Sequence, residues 1–427
     1  AAELDAVALA FDRSAGEDGA VAAANAVFPR QARALAIKTT RKKDDAFGWL
    51  QALVDDPGGI PKGDDDPRRG PKSYLASGTG TLFARTAWSS DAVWTAFQSG
   101  PYLSDHQHLD QGHFEIVRGS DALIVDPGAY GSGSSTSHNT LLIDDAKETL
   151  PYSPNQVPVS RASITRFSDD GTYVHALGDF TTAYEPPHFK DDGKRSVLHA
   201  EREFLFSRTA VGGANASARM VLYDRVLLTK PTFGVAWIAH TNGNADVLTE
   251  VAGARFTVGT SASQITTVVP ADAKLRLVRE PNPEKSDSFW INDEPEKGFH
   301  ATRVEVSSPI GGAERRFLHV IAVTSADVPR VPVVAIRSST VDGALLDGEA
   351  YIFPRAAVQS SPAPLDYTIA GPPARHVVSG LAPARPYAIT ATRTASGCQI
   401  TLTPGPSDTK TSDAGVLIFS PAACVTK

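Results

Sequence analysis

Cysteine and methionine are nearly absent from the 427 residues: there are two cysteines, Cys398 and Cys424, and a single methionine. At most one disulfide can form. A bridge between the two suits an exported protein, and a pair of free buried thiols is the other reading. A basic excess is missing as well. Lys+Arg number 41 against 48 Asp+Glu, a formal charge of −7. A nucleic-acid partner is therefore not expected, and any polyanion has to be met by a local basic patch. No apolar run reaches the roughly 18 residues of a membrane-spanning helix. No repeat with a period of roughly 20–50 residues occurs, which sets aside a solenoid or propeller. The chain opens on Ala1 without a signal-like leader, so a processed protein and a piece of a longer one are both expected readings.

What is present is an ordinary folded composition, 41% hydrophobic and 21% charged, with 34 Gly and 30 Pro for turns. The length allows two or three domains. Residues 1–56 carry helical spacing of apolar residues in Ala2–Phe11 and Gly19–Phe28, the latter stopped by Pro29. Residues 57–72, rich in Pro, Gly and charge, read as an exposed linker. From Tyr74 onward short strand-like runs alternate with turn signals. Among them are Leu82–Trp88, Ala92–Gln98, Phe114–Val117, Ala122–Val125, Glu203–Ser207 and Phe317–Thr324. Ser168-Asp169-Asp170-Gly171 reads as a hairpin turn. The fold expected is mainly β: a large antiparallel multi-sheet sandwich at 66–360, preceded by a helical segment and linker at 1–65 and followed by a small β unit at 361–427.

The chemistry concentrates in Asp105–Thr140. Asp105-His106-Gln107-His108-Leu109-Asp110-Gln111-Gly112-His113 holds three of the chain's 11 histidines. Asp126-Pro127-Gly128-Ala129-Tyr130 and His138-Asn139-Thr140 follow. If the first stretch is a strand, His106 and His108 share a face, as do His108 and Asp110. Two imidazoles and a carboxylate make a divalent-metal site with zinc the leading candidate. The alternative is a polar, hydrogen-bonded cluster at a sheet edge. A strict hairpin register about Gly119 sets Asp126 opposite His113, so either Gly112 marks a bulge that shifts it or His113 is the true partner.

The run H-Q-H-L-D-Q-G-H-F-E-I, then D-P-G-A-Y, then S-H-N-T-L resembles the core signature of heparinase II/III-type polysaccharide lyases. The lead-in with Arg85, Trp88 and Trp94 is similar too. The resemblance is strong over about 72–145 and diffuse to about 350. It implies catalytic roles for His106, which faces the cleaved sugar, and for Tyr130, an aromatic residue lining the catalytic cleft. It implies His108, Asp126 and His138 as ligands of a structural zinc. It also implies β-elimination from a uronic acid: a base takes the C5 proton, a neighbouring group neutralises the carboxylate, and an acid protonates the O4 leaving group. Arg85 and Gln107 are candidates for contacting the substrate carboxylate. The implied substrate is a glycosaminoglycan such as heparin or heparan sulfate, hyaluronan or chondroitin sulfate, with an alginate-like polymer second. The implied location is secreted or periplasmic.

The front of the chain departs from the family. Its members carry a large helical (α/α) toroid that supplies catalytic groups, and residues 1–56 contain Asn25 but no Tyr or His. The helical part here reads as a remnant, and the missing groups are expected upstream or on another chain. A non-catalytic, metal-stabilised sandwich that binds glycan beside a catalytic partner is therefore the second reading. A metal hydrolase is a weaker third, because no H-E-x-x-H motif accompanies the cluster. Arg202-Glu203-Phe204 and Tyr223-Asp224-Arg225 read as buried ion pairs in core strands. Tyr184–His188, Lys190, Lys194 and Arg195 read as surface, and Phe289-Trp290 as a half-buried pair.

Overall fold

Strands long enough to bury both of their faces define this fold, and the sequence encodes them by alternating charge as well as apolar bulk. The computed structural model describes residues 71–103, 107–126, 135–144, 156–157, 160–185, 195–213, 217–241, 246–250, 253–279, 302–357, 361–370, 375–395 and 397–421. The chain divides into two compact units, Ala1–Ala76 and Ser77–Lys427. In the first, the strand Ser73–Ala76 is described. The expected helices of 1–65 lie outside the described residues, as do Phe289 and Trp290.

In the second unit the centre is an antiparallel eight-stranded sheet. Its inner strands are Val197–Ser207, Ala218–Leu228 and Glu314–Ser325. Val197–Ser207 and Glu314–Ser325 extend the shorter runs expected from sequence by several residues. Almost every residue in them is buried, which requires cover on both faces. One face meets a five-stranded sheet through Leu205, Val221, Tyr223, Leu318, Tyr351 and Phe353. The opposite face meets other sheets: Phe204 stacks on Phe97 at 5.0 Å between ring centroids, and His319 stacks on Trp237 at 3.9 Å.

Neighbouring residues therefore serve opposite layers. Arg202 pairs with Asp224 across the strands, and Glu201 with Arg225. Asp224 accepts from Arg202 on one face. Arg225 binds Glu201 and Glu203 at 2.8 and 2.7 Å and donates to the Pro354 carbonyl on the other. Arg219–Glu349 at 2.5 Å and the hydrogen bond from Tyr223 to Asp342 extend that polar seam toward the five-stranded sheet.

The five-stranded sheet takes Val333–Arg337, Val341–Leu346, Glu349–Pro354, Arg375–Val378 and Leu417–Phe419. The expected boundary at residue 361 falls inside it, because Glu349–Pro354 pairs in parallel with Arg375–Val378. A three-stranded sheet of Leu365–Ile369, Gly397–Pro404 and Tyr387–Thr394 packs on it through Tyr367, Ile400 and Leu402. Cys398 lies there, buried and disulfide-bonded; the chain's other cysteine, Cys424, lies outside the described residues.

Two smaller sheets position the site. One contains the successive strands Thr81–Arg85, Val93–Gln98, Phe114–Arg118 and Asp121–Ile124. The other orders Lys274–Arg279, Thr302–Ser307, Gly234–Thr241 and Leu141–Asp144. The hairpin at Ser168–Gly171 forms as expected. Asp170 caps the turn, accepting from the amides of Thr172 and Tyr173, and Gly171 takes φ +88°.

Candidate functional site

The described part of the His/Asp stretch, Gln107–His113, does not run as a strand. Gln107–Asp110 is irregular, and a turn closed by the His113 amide on the Asp110 carbonyl reverses the chain into Phe114–Arg118. The shared strand face expected for His108 and Asp110 therefore does not apply. Gly112 sits in the turn at φ +88°, where a Cβ would meet the Phe180 ring at 3.1 Å. Of the two alternatives, a register shift does occur, but between Ile116 and Val117 in the pairing of Phe114–Arg118 with Asp121–Ile124 and not at Gly112. Gly112 and His113 stay paired with Gln98.

Three segments converge beyond this turn. His108 comes from the irregular loop, Asp126 from just past the strand Asp121–Ile124, and His138 from the end of the 3-10 turn Ser135–Ser137. One ligand atom from each lies within 4.8 Å of the other two. His138 Nδ1 is 2.7 Å from Asp126 Oδ2, and the His108 and His138 rings are 4.9 Å apart. His138 is wholly buried and its Nε2 has no hydrogen-bond partner. A buried imidazole nitrogen left bare is unfavourable by about 1–3 kcal/mol. Two imidazoles and a carboxylate with such a nitrogen are a donor set that fits zinc.

Other titratable groups ring this set. His113 Nε2 lies 3.4 Å from Asp126 Oδ2 and 3.6 Å from Glu115 Oε1. Burial disfavours its charged form, but the two carboxylates outweigh burial and raise its pKa. Asp110 is pushed up by burial against the pull of His138, His113 and His108. Burial, with Arg303 and His138 adding to it, holds His240 well below the usual histidine range.

A frame of buried amides holds the segments. Gln111 accepts from Gly100 N–H at 2.6 Å and donates its own amide to Gln156 at 2.7 Å. Gln156 donates to the Gln111 carbonyl at 2.8 Å and to the Tyr184 hydroxyl at 3.3 Å. Tyr184, expected at the surface, is instead a buried strut donating to the Leu141 carbonyl, its pKa pushed up to about 12 by burial. Gln156 lies in no motif, and Asn139, though inside S-H-N-T-L, receives no role from the sequence.

The remaining candidates divide. His106 and Tyr130 lie outside the described residues. Gln107 braces its own loop, accepting from Leu103 N–H at 2.8 Å and donating to the Pro101 carbonyl at 3.0 Å. Arg85 lies with its guanidinium carbon 4.2 Å above the Trp88 ring and donates to the Ala87 carbonyl.

The model of the family described as heparinase II/III-like, C-terminal matches residues 67–302. No curated protein sequence matches the chain. Among solved structures it is similar to the heparan sulfate lyase HepC from Pedobacter heparinus, with TM-score 0.53 and 12% identity over 79% of this chain and 48% of that one. It is also similar to a heparinase III, the BT4657 gene product, with TM-score 0.50 and 13% identity over 78% of this chain and 46% of that one. The chain thus spans about half the length of these structures, and at such identity the likeness speaks for the fold.

Proposed function

The chain belongs to the heparinase II/III-like family through its C-terminal domain, and from that premise we propose that it is the β-rich half of a polysaccharide lyase acting on a uronate-bearing polymer. The observation that carries this is the convergence of His108, Asp126 and His138 within the matched region. His108 is two residues after His106, and Asp126 is four before Tyr130. Fixing those two ligands anchors the backbone on which the two proton-transfer candidates sit.

In this reading zinc is held by His108, Asp126 and His138 and supplies a fixed cross-link among three segments that share no sheet pairing. His106 and Tyr130 take the proton-transfer roles in β-elimination, removing the C5 proton and protonating O4. Arg85 or Gln107 faces the uronate carboxylate once released from its present hydrogen bonds. The substrate is a glycosaminoglycan, with an alginate-like polymer second. A helical catalytic toroid, upstream or on another chain, supplies the remaining groups. A disulfide and a large extracellular-type polymer together favour a secreted or periplasmic location.

The second reading is a non-catalytic, metal-stabilised glycan-binding sandwich working with a separate catalytic helical domain, since the family model that matches is that of the C-terminal part. One assay separates the two. The purified chain is mixed with heparan sulfate, hyaluronan, chondroitin sulfate and alginate, and the ultraviolet absorbance of an unsaturated uronate is followed. A rise with any of them supports the lyase, with His106→Ala abolishing it at unchanged melting temperature. No rise with all four supports the binding module.

A further inference from the structure

Every polar group of Asn139 is engaged, and the residue is fully buried. Its N–H donates to His113 Nδ1 at 2.9 Å, and its carbonyl accepts from Arg202 Nη1 at 3.1 Å. Its Nδ2 donates to the carbonyls of Phe114 and Val125 at 2.7 and 3.0 Å. Its Oδ1 accepts the His240 N–H at 2.7 Å and faces His240 Nδ1 at 2.9 Å.

These contacts leave no freedom in where the protons lie. Two carbonyls only accept, so the side-chain atom between them is the nitrogen; a backbone N–H only donates, so the atom facing it is the oxygen. An amide oxygen carries no hydrogen, so His240 Nδ1 bears one. A backbone N–H cannot accept, so His113 Nδ1 is bare and its proton sits on Nε2. That nitrogen is buried without a settled hydrogen bond, between Asp126 Oδ2 at 3.4 Å and Glu115 Oε1 at 3.6 Å.

We propose that Asn139 is the positioning residue of this site: it fixes His113 as the Nε2–H tautomer and His240 as the Nδ1–H tautomer, so that His113 presents its N–H to Asp126 and orients that carboxylate. The tautomer assignment stands on the hydrogen bonds alone. Its consequence for metal rests on the reading of His108, Asp126 and His138 as ligands. Adjacency makes the device compact, since Asn139 follows His138 and its Nδ2 grips the residue before Asp126. Groups that orient metal ligands in this way typically govern affinity by about 10- to 100-fold.

The test uses the full chain with nitrogen-15-labelled histidine. Signals of His113 and His240 are assigned by their loss in His113→Gln and His240→Gln. The expected result is a pyridine-like Nδ1 for His113 and a pyridine-like Nε2 for His240, in the presence or absence of zinc. Zinc retention is then measured by chelator competition. His113→Gln keeps an N–H donor near the Nε2 position and should hold zinc within a few-fold of wild type. His113→Leu and Asn139→Ala should weaken it by about 10- to 100-fold, and Asn139→Ala, which removes the acceptor facing His240 Nδ1, should also release His240 to a mixture of tautomers.

A protonated Nδ1 on His113 in the wild type overturns the assignment. Equal zinc retention by the Gln and Leu variants overturns the positioning role. Wild-type protein that takes up no zinc yet shows both tautomers overturns the metal reading and upholds the assignment.

Discussion

Arg202 and Asp224 meet across neighbouring strands as a sealed bidentate pair, Nε to Oδ1 at 2.6 Å and Nη2 to Oδ2 at 3.1 Å, with neither side chain exposed. The remaining Nη1 donates to the carbonyls of Gly112 and Asn139. The pair thus braces the turn before His113 and the residue after His138 from beneath. Burial still raises the Asp224 pKa, although Arg202 opposes the shift. Such a pair matters less for net stability than for what its loss leaves behind. Asp224→Ala strands a buried guanidinium and should destabilise the protein by about 3–5 kcal/mol. Replacing both partners with Leu and Met should do less harm. Denaturant melts measure this, and a single variant no worse than the double would overturn the stranded-charge argument.

Acid should loosen the seam between the large sheet and the five-stranded sheet. Burial pushes Glu203 toward the neutral form, but Arg225, His175 and Ser379 outweigh it and hold its pKa down at about 2. The unfolded carboxyl titrates near 4.5. Between those values the unfolded chain binds the extra proton, so the contribution is full above about pH 4.5 and is lost as pH falls toward 2. The shift corresponds to about 3 kcal/mol. Melting temperature followed from pH 6 to 2 should fall across this window (approximate limits set by that linkage). Glu203→Gln should start lower and flatten that limb; an unchanged limb would place the acid sensitivity elsewhere.

How much of this was legible before the structure depends on the range over which each residue acts. Arg202–Glu203 and Tyr223–Asp224–Arg225 read correctly as buried ion pairs, because charge alternating within strongly apolar strands has few other solutions. That His108, Asp126 and His138 come together was legible from residue type and motif. Asn139 was not: its side-chain partners are 14, 25 and 101 residues away, and no local pattern encodes a hydrogen bond to His240. The bulge was misplaced because the sequence signals it with Gly112, whereas the register shifts at Ile116 and Val117, where no glycine stands. Strands such as Val341–Leu346 and Glu349–Pro354 escaped notice because burial on both faces erases their alternation.

The disulfide at Cys398 should stabilise the three-stranded sheet chiefly by restricting the unfolded chain. Cys398 and Cys424 are 26 residues apart, a separation at which loop-closure entropy gives about 3–4 kcal/mol. Reduction should therefore lower the melting temperature of the wild type but not of Cys398→Ser, which should already melt lower. Mass analysis after alkylation reports the bond directly, and a freely alkylated Cys398 in unreduced native protein would contradict it.

Metal removal should act on the site before it acts on the sheets. The proposed ligand residues belong to a loop, a strand end and a 3-10 turn that are joined to the core by side-chain hydrogen bonds more than by ladder pairing. Stripping zinc with a chelator should raise proteolysis around residues 105–140 and lower the melting temperature, while the far-ultraviolet signal of the large sheet persists. His108→Ala should purify with less than stoichiometric zinc and show the same local sensitivity without chelator. His138→Ala should do so more severely, because His138 is fully buried where His108 is half-buried and its loss also opens a cavity beside Asp126. Full zinc retention by His108→Ala would remove it from the ligand set. A chelated wild type with unaltered protease sensitivity would show that the buried amides of Asn139, Gln111 and Gln156 hold these segments without the ion.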